Sequence, residues 1–274
     1  MHRQAIHQAM IANIFILLIA GLGFAYIALN LYAFLRADGR IFPAPASSYQ
    51  DDTGILKLKS RDGSPISAIY LPAESKGRLL LYSCGNAEDI GTVRPFLELF
   101  QQHGISVLTY DYPGYGTSGG RASEQACYAA IEAAYNYAVN ELDYTPNQIT
   151  LYGHSLGSGP STWLAARKEV NGLILNGAFT STFRVMTEVK LLLWDKFDNY
   201  ARLPRINAPT LLIHGTEDTI IPFSHALKNW NRIRGPKEKL YVAGAGHSNL
   251  IELAGTEYWN AVISFINSNH HHSS

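Results

Sequence analysis

One serine, placed between two glycines, marks a position where this sequence could carry out covalent chemistry. Residues 151–159 read LYGHSLGSG, in which Gly153 and Gly157 stand two positions to either side of Ser155. The pattern G-x-S-x-G is typical of a sharp strand-to-helix turn that exposes a serine hydroxyl and needs small neighbours. A serine hydroxyl is a weak nucleophile unless a base takes its proton and nearby donors stabilise the anion that forms. The remaining parts of such a site must therefore come from elsewhere in the chain.

The same pattern occurs a second time, as GTSGG in residues 116–120. Ser155 directly follows the apolar run QITLYG and precedes SGPSTWLAARK, a segment that can continue as a helix. Ser118 instead lies several residues beyond its nearest apolar run, inside the Gly/Pro-rich loop DYPGYGTSGG. Only the first copy has the strand–turn–helix context that a nucleophile needs, so we predict Ser155 as the nucleophile and assign Ser118 to the loop.

A carboxylate and a histidine follow two later apolar runs. Asp218 comes shortly after TLLIHG, and His247 comes at the end of KLYVAGAG, so both should lie just past the ends of buried strands. Serine, aspartate and histidine in this chain order form one of the known arrangements of a catalytic triad. We therefore predict that His247 is the base and that Asp218 orients it.

Alternatives to these two residues remain open. His247 could be a buried structural histidine, and three other carboxylates could take the place of Asp218, namely Glu217, Asp195 and Asp198. His154 is a poor candidate for the base, because adjacent side chains at a sharp turn should diverge. We expect the other scattered histidines to be structural, namely His103, His214 and His225.

Backbone amides should form the site that stabilises the anion. One would be the N–H of Leu156, directly after the nucleophile, and the second would come from the loop after the apolar run LLLYS. That loop, residues 83–91, reads SCGNAEDIG, where Gly85 allows a close backbone approach. We predict that Asn86 supplies the second N–H; the alternative is that this asparagine serves only the turn itself.

Eight runs of residues predict strands, and helix-length segments separate most of them. The first two runs flank an Asp62–Gly63 turn and suggest a hairpin, whereas the others are apolar enough to be buried on both faces. The predicted strands are 55–60, 65–72, 79–83, 105–111, 148–153, 173–179, 210–215 and 239–246. Residues 124–142 keep a helical apolar stripe after a possible N-cap at Ser123. The sequence therefore predicts an α/β fold with a mostly parallel, eight-stranded sheet and helices on both faces. Ligands bind such sheets at the carboxyl ends of the strands, where the triad is predicted.

The N-terminal segment is long and apolar. Residues 11–35 form 25 consecutive positions without a charge, and as a helix they would span roughly 37 Å. This length suffices to cross a bilayer, and Tyr26 and Tyr32 suit an interfacial position. A signal peptide or a buried helix is the alternative, but the apolar region of a signal peptide is typically about 7–15 residues long. We therefore predict an N-terminal transmembrane helix that anchors the protein.

The 274 residues of the chain allow one large α/β domain after this anchor. The predicted parts are an anchor, a Pro/Ser/Ala-rich linker, an α/β domain and a tail that contains His270–His272, with boundaries at 1–40, 41–52, 53–268 and 269–274. Within the domain, residues 179–204 are a candidate for a small cap. Trp194 and Phe197 could wall an acyl site there or simply pack in the core.

Charge and cysteine content exclude several other classes of function. Lys plus Arg and Asp plus Glu both number 22, so the formal charge of zero gives no reason to expect a nucleic-acid partner. Cys84 and Cys127 have neither the spacing of a metal site nor the number needed for a disulfide framework. A serine nucleophile requires neither a metal nor an organic cofactor, and we expect none.

Five motifs together resemble the α/β-hydrolase superfamily: CGNAEDIG, DYPGYGTSGG, LYGHSLGSGP, HGTEDTIIP and GAGHSN. In this combination they are similar to the membrane-anchored branch that includes the eukaryotic acyl-protein thioesterases, or depalmitoylases, and their bacterial relatives. The resemblance covers about residues 53–267 and implies a triad and an oxyanion hole made by Ser155, Asp218, His247, Asn86 and Leu156. Two departures stand out. Cys84 occupies a position where many relatives have histidine, and an apolar span replaces the N-terminal cysteine cluster of the eukaryotic depalmitoylases.

The sequence thus predicts a membrane-anchored serine hydrolase that cleaves a carboxylic ester or thioester through an acyl-enzyme. Its substrate would be a small molecule, a lipid or an acylated protein. A peptidase-like or small-ester hydrolase of the same fold is an alternative, as is a non-catalytic binding protein. A dehalogenase or epoxide hydrolase with an aspartate nucleophile is disfavoured, because serine occupies the turn.

Overall fold

The computed structural model describes residues 2–52, 54–187 and 190–268, which belong to two compact units, Met1–Ile41 and Phe42–Ser274. The predicted tail with its histidine run lies outside the described residues. The first unit is a single helix, α1 (His2–Ile41). Its segment Ile6–Ile41 is long and apolar enough to cross a membrane, with a mean hydropathy of 2.4. The helix is therefore a candidate membrane anchor at the predicted position.

An eight-stranded sheet forms the centre of the second unit. Its strands are β1 (Leu56–Lys59), β2 (Pro65–Leu71), β3 (Leu79–Ser83), β4 (Ser106–Tyr110), β5 (Ile149–His154), β6 (Gly172–Asn176), β7 (Thr210–Gly215) and β8 (Lys237–Val242). The spatial order is β1-β2-β4-β3-β5-β6-β7-β8. Strand β2 pairs antiparallel with β1 and β4, and all other neighbours are parallel. The predicted α/β-hydrolase fold, with a mostly parallel sheet of eight strands, is confirmed.

Eight helices accompany the sheet in the described part of this unit. They are α2 (Ile90–Gln102), α3 (Glu124–Asn140), α4 (Ser158–Ala165), α5 (Thr182–Thr187), α6 (Asn199–Arg202), α7 (Ser224–Arg232), α8 (Leu250–Ala254) and α9 (Thr256–Asn267). Helix α3 begins as predicted, because the Ser123 side chain accepts a hydrogen bond from Ala126 N–H at 3.2 Å. Helices α5 and α6 lie in the segment predicted as a cap.

Alternate residues of the central strands face opposite sides of the sheet, and helices cover both sides. On one side, Phe100 of α2 packs edge-on against Tyr152 of β5, within a buried cluster that also includes Val262 of α9. On the other side, Ser161 of α4 donates a hydrogen bond to Ser83 of β3 at 3.2 Å. The five residues of β3 are all buried, which explains why its sequence is apolar without alternation.

Two residues of the predicted linker, Ser48 and Tyr49, belong to the second unit and are hydrogen-bonded within it. The N–H of Ser48 donates to Asp89 at 2.7 Å, and the Tyr49 hydroxyl donates to Asp111 at 2.5 Å. Burial raises the pKa of Asp111 to about 7 and the pKa of Tyr49 to about 12. A short polar sequence is thereby fixed to the loop that begins at Asp111.

A buried polar network lies beneath the start of the serine turn. The hydroxyl oxygens of Tyr152 and Tyr258 are 2.6 Å apart, and Asn176 donates its side-chain N–H to Tyr152 at 2.9 Å. These contacts join β5, β6 and α9 through buried groups. Each group depends on the others for its hydrogen bonds.

Replacing Tyr152 with phenylalanine should therefore destabilise the protein. The variant Tyr152→Phe leaves two buried polar groups short of a partner, which typically costs about 1–3 kcal/mol. Urea unfolding of the full chain in detergent measures this loss. Tyr137→Phe is the control, because that half-buried hydroxyl donates no hydrogen bond among the described residues, and we expect a change within about 0.5 kcal/mol. Equal stabilities of the two variants would contradict the proposed importance of the network.

Candidate active site

Ser155 occupies a strained turn between β5 and α4. Its backbone has φ +50°, in the left-handed region that side chains other than glycine rarely adopt. The strand ends at His154, and a single 3₁₀ turn, Ser155–Gly157, leads directly into the helix. This is the strand–turn–helix context that the sequence predicted for the nucleophile.

The two glycines of the motif are required by backbone packing. A Cβ atom on Gly153 would lie 2.6 Å from the carbonyl oxygen of Gly157. A Cβ atom on Gly157 would overlap the carbonyl oxygen of Ser83, at the end of β3. The turn can therefore close against the neighbouring strand only with glycine at both positions.

The structure brings Ser155, His247 and Asp218 together at the carboxyl edge of the sheet. His247 Nε2 lies 3.0 Å from the hydroxyl oxygen of Ser155, and His247 Nδ1 lies 2.7 Å from Asp218 Oδ2. A carboxylate can only accept, so Nδ1 carries the proton and Nε2 is left to accept a hydrogen bond from the serine. The residues reach this edge because β5, β7 and β8 run parallel and each precedes one of them.

Asp218 is held as an anion by donors around its carboxylate. Its Oδ1 accepts hydrogen bonds from the N–H groups of Ile220 and Ile221 at 2.9 and 2.8 Å. Burial alone would raise the pKa of Asp218, but the hydrogen bonds from His247 and Ile221 hold it below its ordinary value. The carboxylate is buried, whereas Ser155 and His247 are partly exposed and accessible to a substrate.

The other carboxylates considered for this position make different contacts. Asp195 accepts hydrogen bonds from the Ser181 hydroxyl at 2.6 Å and from the backbone of the same segment. Asp198 caps α6, and Glu217 is exposed. The structure therefore places Asp218 beside His247 and gives Asp195 and Asp198 structural contacts in the predicted cap segment.

Two of the remaining histidines are buried and neutral. His214 donates from Nε2 to the carbonyl of Ile221 at 2.8 Å, and burial lowers its pKa. His225 accepts a hydrogen bond from the N–H of Thr180 at 3.0 Å, and burial lowers its pKa to about 4. Both agree with the structural role predicted for them. Ser118 also has a structural contact, accepting a hydrogen bond from Ser67 N–H at 2.8 Å.

The loop after β3 contains Asn86, whose backbone amide is predicted to belong to the oxyanion hole. Gly85 N–H donates to Glu88 at 2.6 Å, while the carbonyls of Cys84 and Asn86 accept hydrogen bonds from tyrosine hydroxyls. Within the described residues, the N–H of Asn86 donates to no other group. This amide is therefore free for a ligand, as an oxyanion hole requires. The roles of Asn86 and Leu156 stay predictions.

Cys84, at the position where the sequence departs from the expected motif, is buried in the hydrophobic core. It is buried without a disulfide, and its Sγ lies 3.7 Å from the Thr109 hydroxyl. Burial raises the pKa of the Cys84 thiol, so the side chain stays neutral. Among residues 2–52, 54–187 and 190–268, no group of three or more His, Cys, Asp or Glu side chains could hold a metal ion.

His154 lies beside the site, although His247 is the histidine that contacts the Ser155 hydroxyl. Its ring stacks beside that of His247, with 5.7 Å between centroids and 23° between planes. Its Nδ1 lies 3.2 Å from the carboxylate of Glu88. Burial would lower the pKa of His154, but the Glu88 carboxylate raises it above its ordinary value. No sequence motif predicts this pair, because it depends on how the loop after β3 packs against the turn.

Gly177 is a second residue that the sequence reasoning missed. It directly follows β6, with φ +62°, and a Cβ atom there would lie 2.9 Å from Cε1 of His247. The imidazole of His247 therefore packs against the bare backbone of this glycine. Any larger residue would push the ring away from its position near Ser155.

Comparison with known proteins assigns the chain to a family. Residues 80–191 match the α/β-hydrolase fold family. Over 225 residues the chain is 35% identical to alpha/beta hydrolase domain-containing protein 17B of Homo sapiens, in an alignment that covers 81% of this chain and 77% of that protein. Identity to the protein of the same name from Xenopus laevis is 40%, with the same coverage. This chain belongs to the α/β-hydrolase family. Its motifs had suggested the depalmitoylase-like branch, and these relatives fit that branch.

Solved structures show the same fold at low sequence identity. The Pyrococcus furiosus esterase Pf2001 superimposes with a TM-score of 0.69 and 16% identity, covering 82% of this chain and 97% of the esterase. The Exiguobacterium antarcticum esterase has a TM-score of 0.61 and 18% identity, covering 77% and 99%. These structures show the shared fold, and membership of the family supports a hydrolase.

A methyl group at Gly177 should disable the site selectively. In Gly177→Ala the added Cβ displaces the His247 ring, and a shift of about 1 Å costs roughly 10²-fold in hydrolysis of a p-nitrophenyl ester. Gly104→Ala is the matched control, since Gly104 also has a positive φ (+77°) but open space around its Cβ position. Both variants carry backbone strain of about 1 kcal/mol or more, but only Gly177→Ala should lose turnover. Equal turnover in both would exclude this packing role for Gly177.

Proposed function

We propose that this protein is a membrane-anchored serine hydrolase that cleaves carboxylic esters or thioesters through an acyl-enzyme. The observation that supports this most directly is the chain of hydrogen bonds from Ser155 through His247 to Asp218, at 3.0 and 2.7 Å. A buried, ionised carboxylate at one end and a partly exposed hydroxyl at the other form the arrangement that activates serine. The family, the fold and the strained turn are consistent with it.

The reaction proceeds in two acyl-transfer steps. His247 Nε2 takes the proton of Ser155 as Oγ forms a bond to the substrate carbonyl carbon, and Asp218 stabilises the imidazolium. When the tetrahedral intermediate collapses, the imidazolium gives this proton to the departing alkoxide or thiolate. Water then attacks the acyl-enzyme with His247 as base, and the released acid leaves Ser155 protonated again.

Backbone amides stabilise the negative oxygen formed in each step. The N–H of Leu156 follows the nucleophile, and the N–H of Asn86, in the loop after β3, donates to no group among the described residues. Two such donors are fixed before the substrate arrives, so they need no reorganisation as charge develops. Removing one donor of this kind typically costs about 10²–10³ in kcat.

Exposed apolar side chains in the segments that follow β6 and β7 in the sequence favour an acyl-chain substrate. Ile220, two residues from Asp218, is 60% exposed, and Met186 and Leu193 of the candidate cap are 86% and 72% exposed. Exposed apolar groups of this size are suited to contact with a hydrocarbon. With an apolar N-terminal helix in the same chain, they support a lipid or acylated-protein substrate.

Replacing Ser155 with alanine should abolish turnover. The variant Ser155→Ala removes the nucleophile, and the loss in kcat should exceed about 10⁴-fold with a p-nitrophenyl acyl ester, while the urea midpoint changes little. Ser118→Ala is the control, because Ser118 has the same G-x-S-x-G surroundings in sequence but contacts only the backbone of its loop and β2. If Ser155→Ala retained turnover, or if Ser118→Ala lost it, the proposed nucleophile would be wrong.

Charges in the middle of α1 should prevent anchoring. Each arginine near the centre of a membrane span costs about 2.5–3.5 kcal/mol on insertion scales. We expect the double variant Leu18→Arg/Leu22→Arg to leave the carbonate-washed membrane fraction, and Leu18→Ala/Leu22→Ala to remain in it. Hydrolysis of a soluble short-chain ester should continue in both variants, whereas hydrolysis of an acyl thioester in vesicles should fall only in the first. Retention of the arginine variant in membranes would exclude α1 as the anchor.

A further inference from the structure

The peptide unit that carries the Asn86 N–H lies between two peptide units that are held by side chains. On one side, the carbonyl of Cys84 accepts a hydrogen bond from the Tyr112 hydroxyl at 2.6 Å. On the other side, the carbonyl of Asn86 accepts one from the Tyr115 hydroxyl at 2.8 Å. Because both neighbours are fixed, the direction of the amide between them is fixed as well.

Glu88 adds a third contact and joins this loop to the serine turn. Its Oε2 accepts a hydrogen bond from Gly85 N–H at 2.6 Å and lies 3.2 Å from Nδ1 of His154. Gly85 directly precedes Asn86, and His154 directly precedes Ser155. One carboxylate oxygen therefore connects the two backbone segments that carry the Asn86 and Leu156 amides.

The charge of Glu88 is balanced by its partner. An isolated carboxylate beside an oxyanion hole would oppose the negative charge that develops there. Burial would raise the pKa of Glu88, but His154 and the N–H of Gly85 lower it, and Glu88 in turn raises the pKa of His154. Each side chain therefore favours the charged form of the other, and protonation of His154 offsets the charge of Glu88.

Glu88 is not needed to begin the helix that follows. That role belongs to Asp89, whose carboxylate accepts a hydrogen bond from Thr92 N–H at 3.0 Å as the N-cap of α2. The carboxylate of Glu88 instead turns back to the loop and to His154. Its contacts are thus accounted for by the site and not by the helix.

We propose that Glu88 is a positioning residue for the oxyanion hole. Through its contacts with Gly85 and His154, Glu88 fixes the position of the Asn86 amide relative to the serine turn. This inference rests on the proposed serine hydrolase function and assigns a role that the triad alone does not require. Glu88 touches neither the substrate nor the reacting atoms. It acts through the backbone of the loop and through the ring of His154.

Steady-state kinetics of two variants of Glu88 in the full chain test this role. We expect Glu88→Ala to lower kcat about 10–100-fold, because the amide that stabilises the transition state is no longer fixed, with KM changed less than about twofold. Glu88→Gln keeps an oxygen that can accept from Gly85 N–H, so its kcat should lie between those of Glu88→Ala and the wild type. Glu98→Ala is the control, since Glu98 is a half-buried residue of α2 whose carboxylate, among the described residues, pairs with Arg94.

Binding of a trifluoromethyl ketone inhibitor adds a readout that a merely structural residue would not affect. The inhibitor forms a tetrahedral adduct with an oxyanion, so its affinity should fall across the Glu88 variants in proportion to kcat/KM. An NMR titration of the His154 ring should show that its pKa falls in Glu88→Gln, because the anionic partner is gone. Thermal unfolding of each variant shows whether the chain remains folded.

The outcomes separate this proposal from the function on which it rests. If Ser155→Ala retains turnover, the serine hydrolase function fails and this role fails with it. If Ser155→Ala is inactive while Glu88→Ala turns over at the wild-type rate, the function stands and the role of Glu88 is excluded. The role is also excluded if Glu88→Gln is as impaired as Glu88→Ala, or if the loss appears in KM and not in inhibitor affinity.

Discussion

The backbone turn at Ser155 is the constraint on which the rest of the site depends. A non-glycine residue with φ +50° is tolerated there because β5 runs straight into α4 and glycines at 153 and 157 let the turn close against the end of β3. The turn fixes the hydroxyl at the carboxyl edge of the sheet. At that same edge, β7 and β8 end in the loops that carry the carboxylate and the imidazole. The sheet therefore brings together three residues that are far apart in sequence.

Hydrogen-bonding partners and burial determine the charge states of the ionisable side chains around this turn. Asp218 is desolvated, but two backbone amides and His247 keep it ionised, and the adjacent His214 is kept neutral by burial. On the opposite side, Glu88 and His154 stabilise each other's charge next to the predicted oxyanion loop. The side chains of both groups are therefore held in position before a substrate binds. Such preorganisation is the main physical means by which hydrolases of this kind stabilise a transition state.

Much of the fold could be predicted because its strands are buried on both faces and read as short apolar runs. The runs LLLYS and TLLIHG coincide with β3 and β7. Strand β8 begins at Lys237, two residues before its predicted start, because its first residues are exposed and carry no apolar signal. The positions of the serine, aspartate and histidine were also predictable, since each follows a strand. The Glu88–His154 pair, the contact of His247 with Gly177 and the bonds from Tyr49 were not, because they join segments whose approach depends on tertiary packing.

The most direct test of the account is to identify the residue that a fluorophosphonate probe modifies in the full-length protein. The probe phosphonylates a serine that an adjacent base has activated, and peptide mass spectrometry locates the adduct. The account predicts one adduct, on the peptide that contains Ser155, and its loss when His247 is replaced by alanine. A folded protein that forms no adduct, or that is modified at another serine such as Ser118, would contradict it.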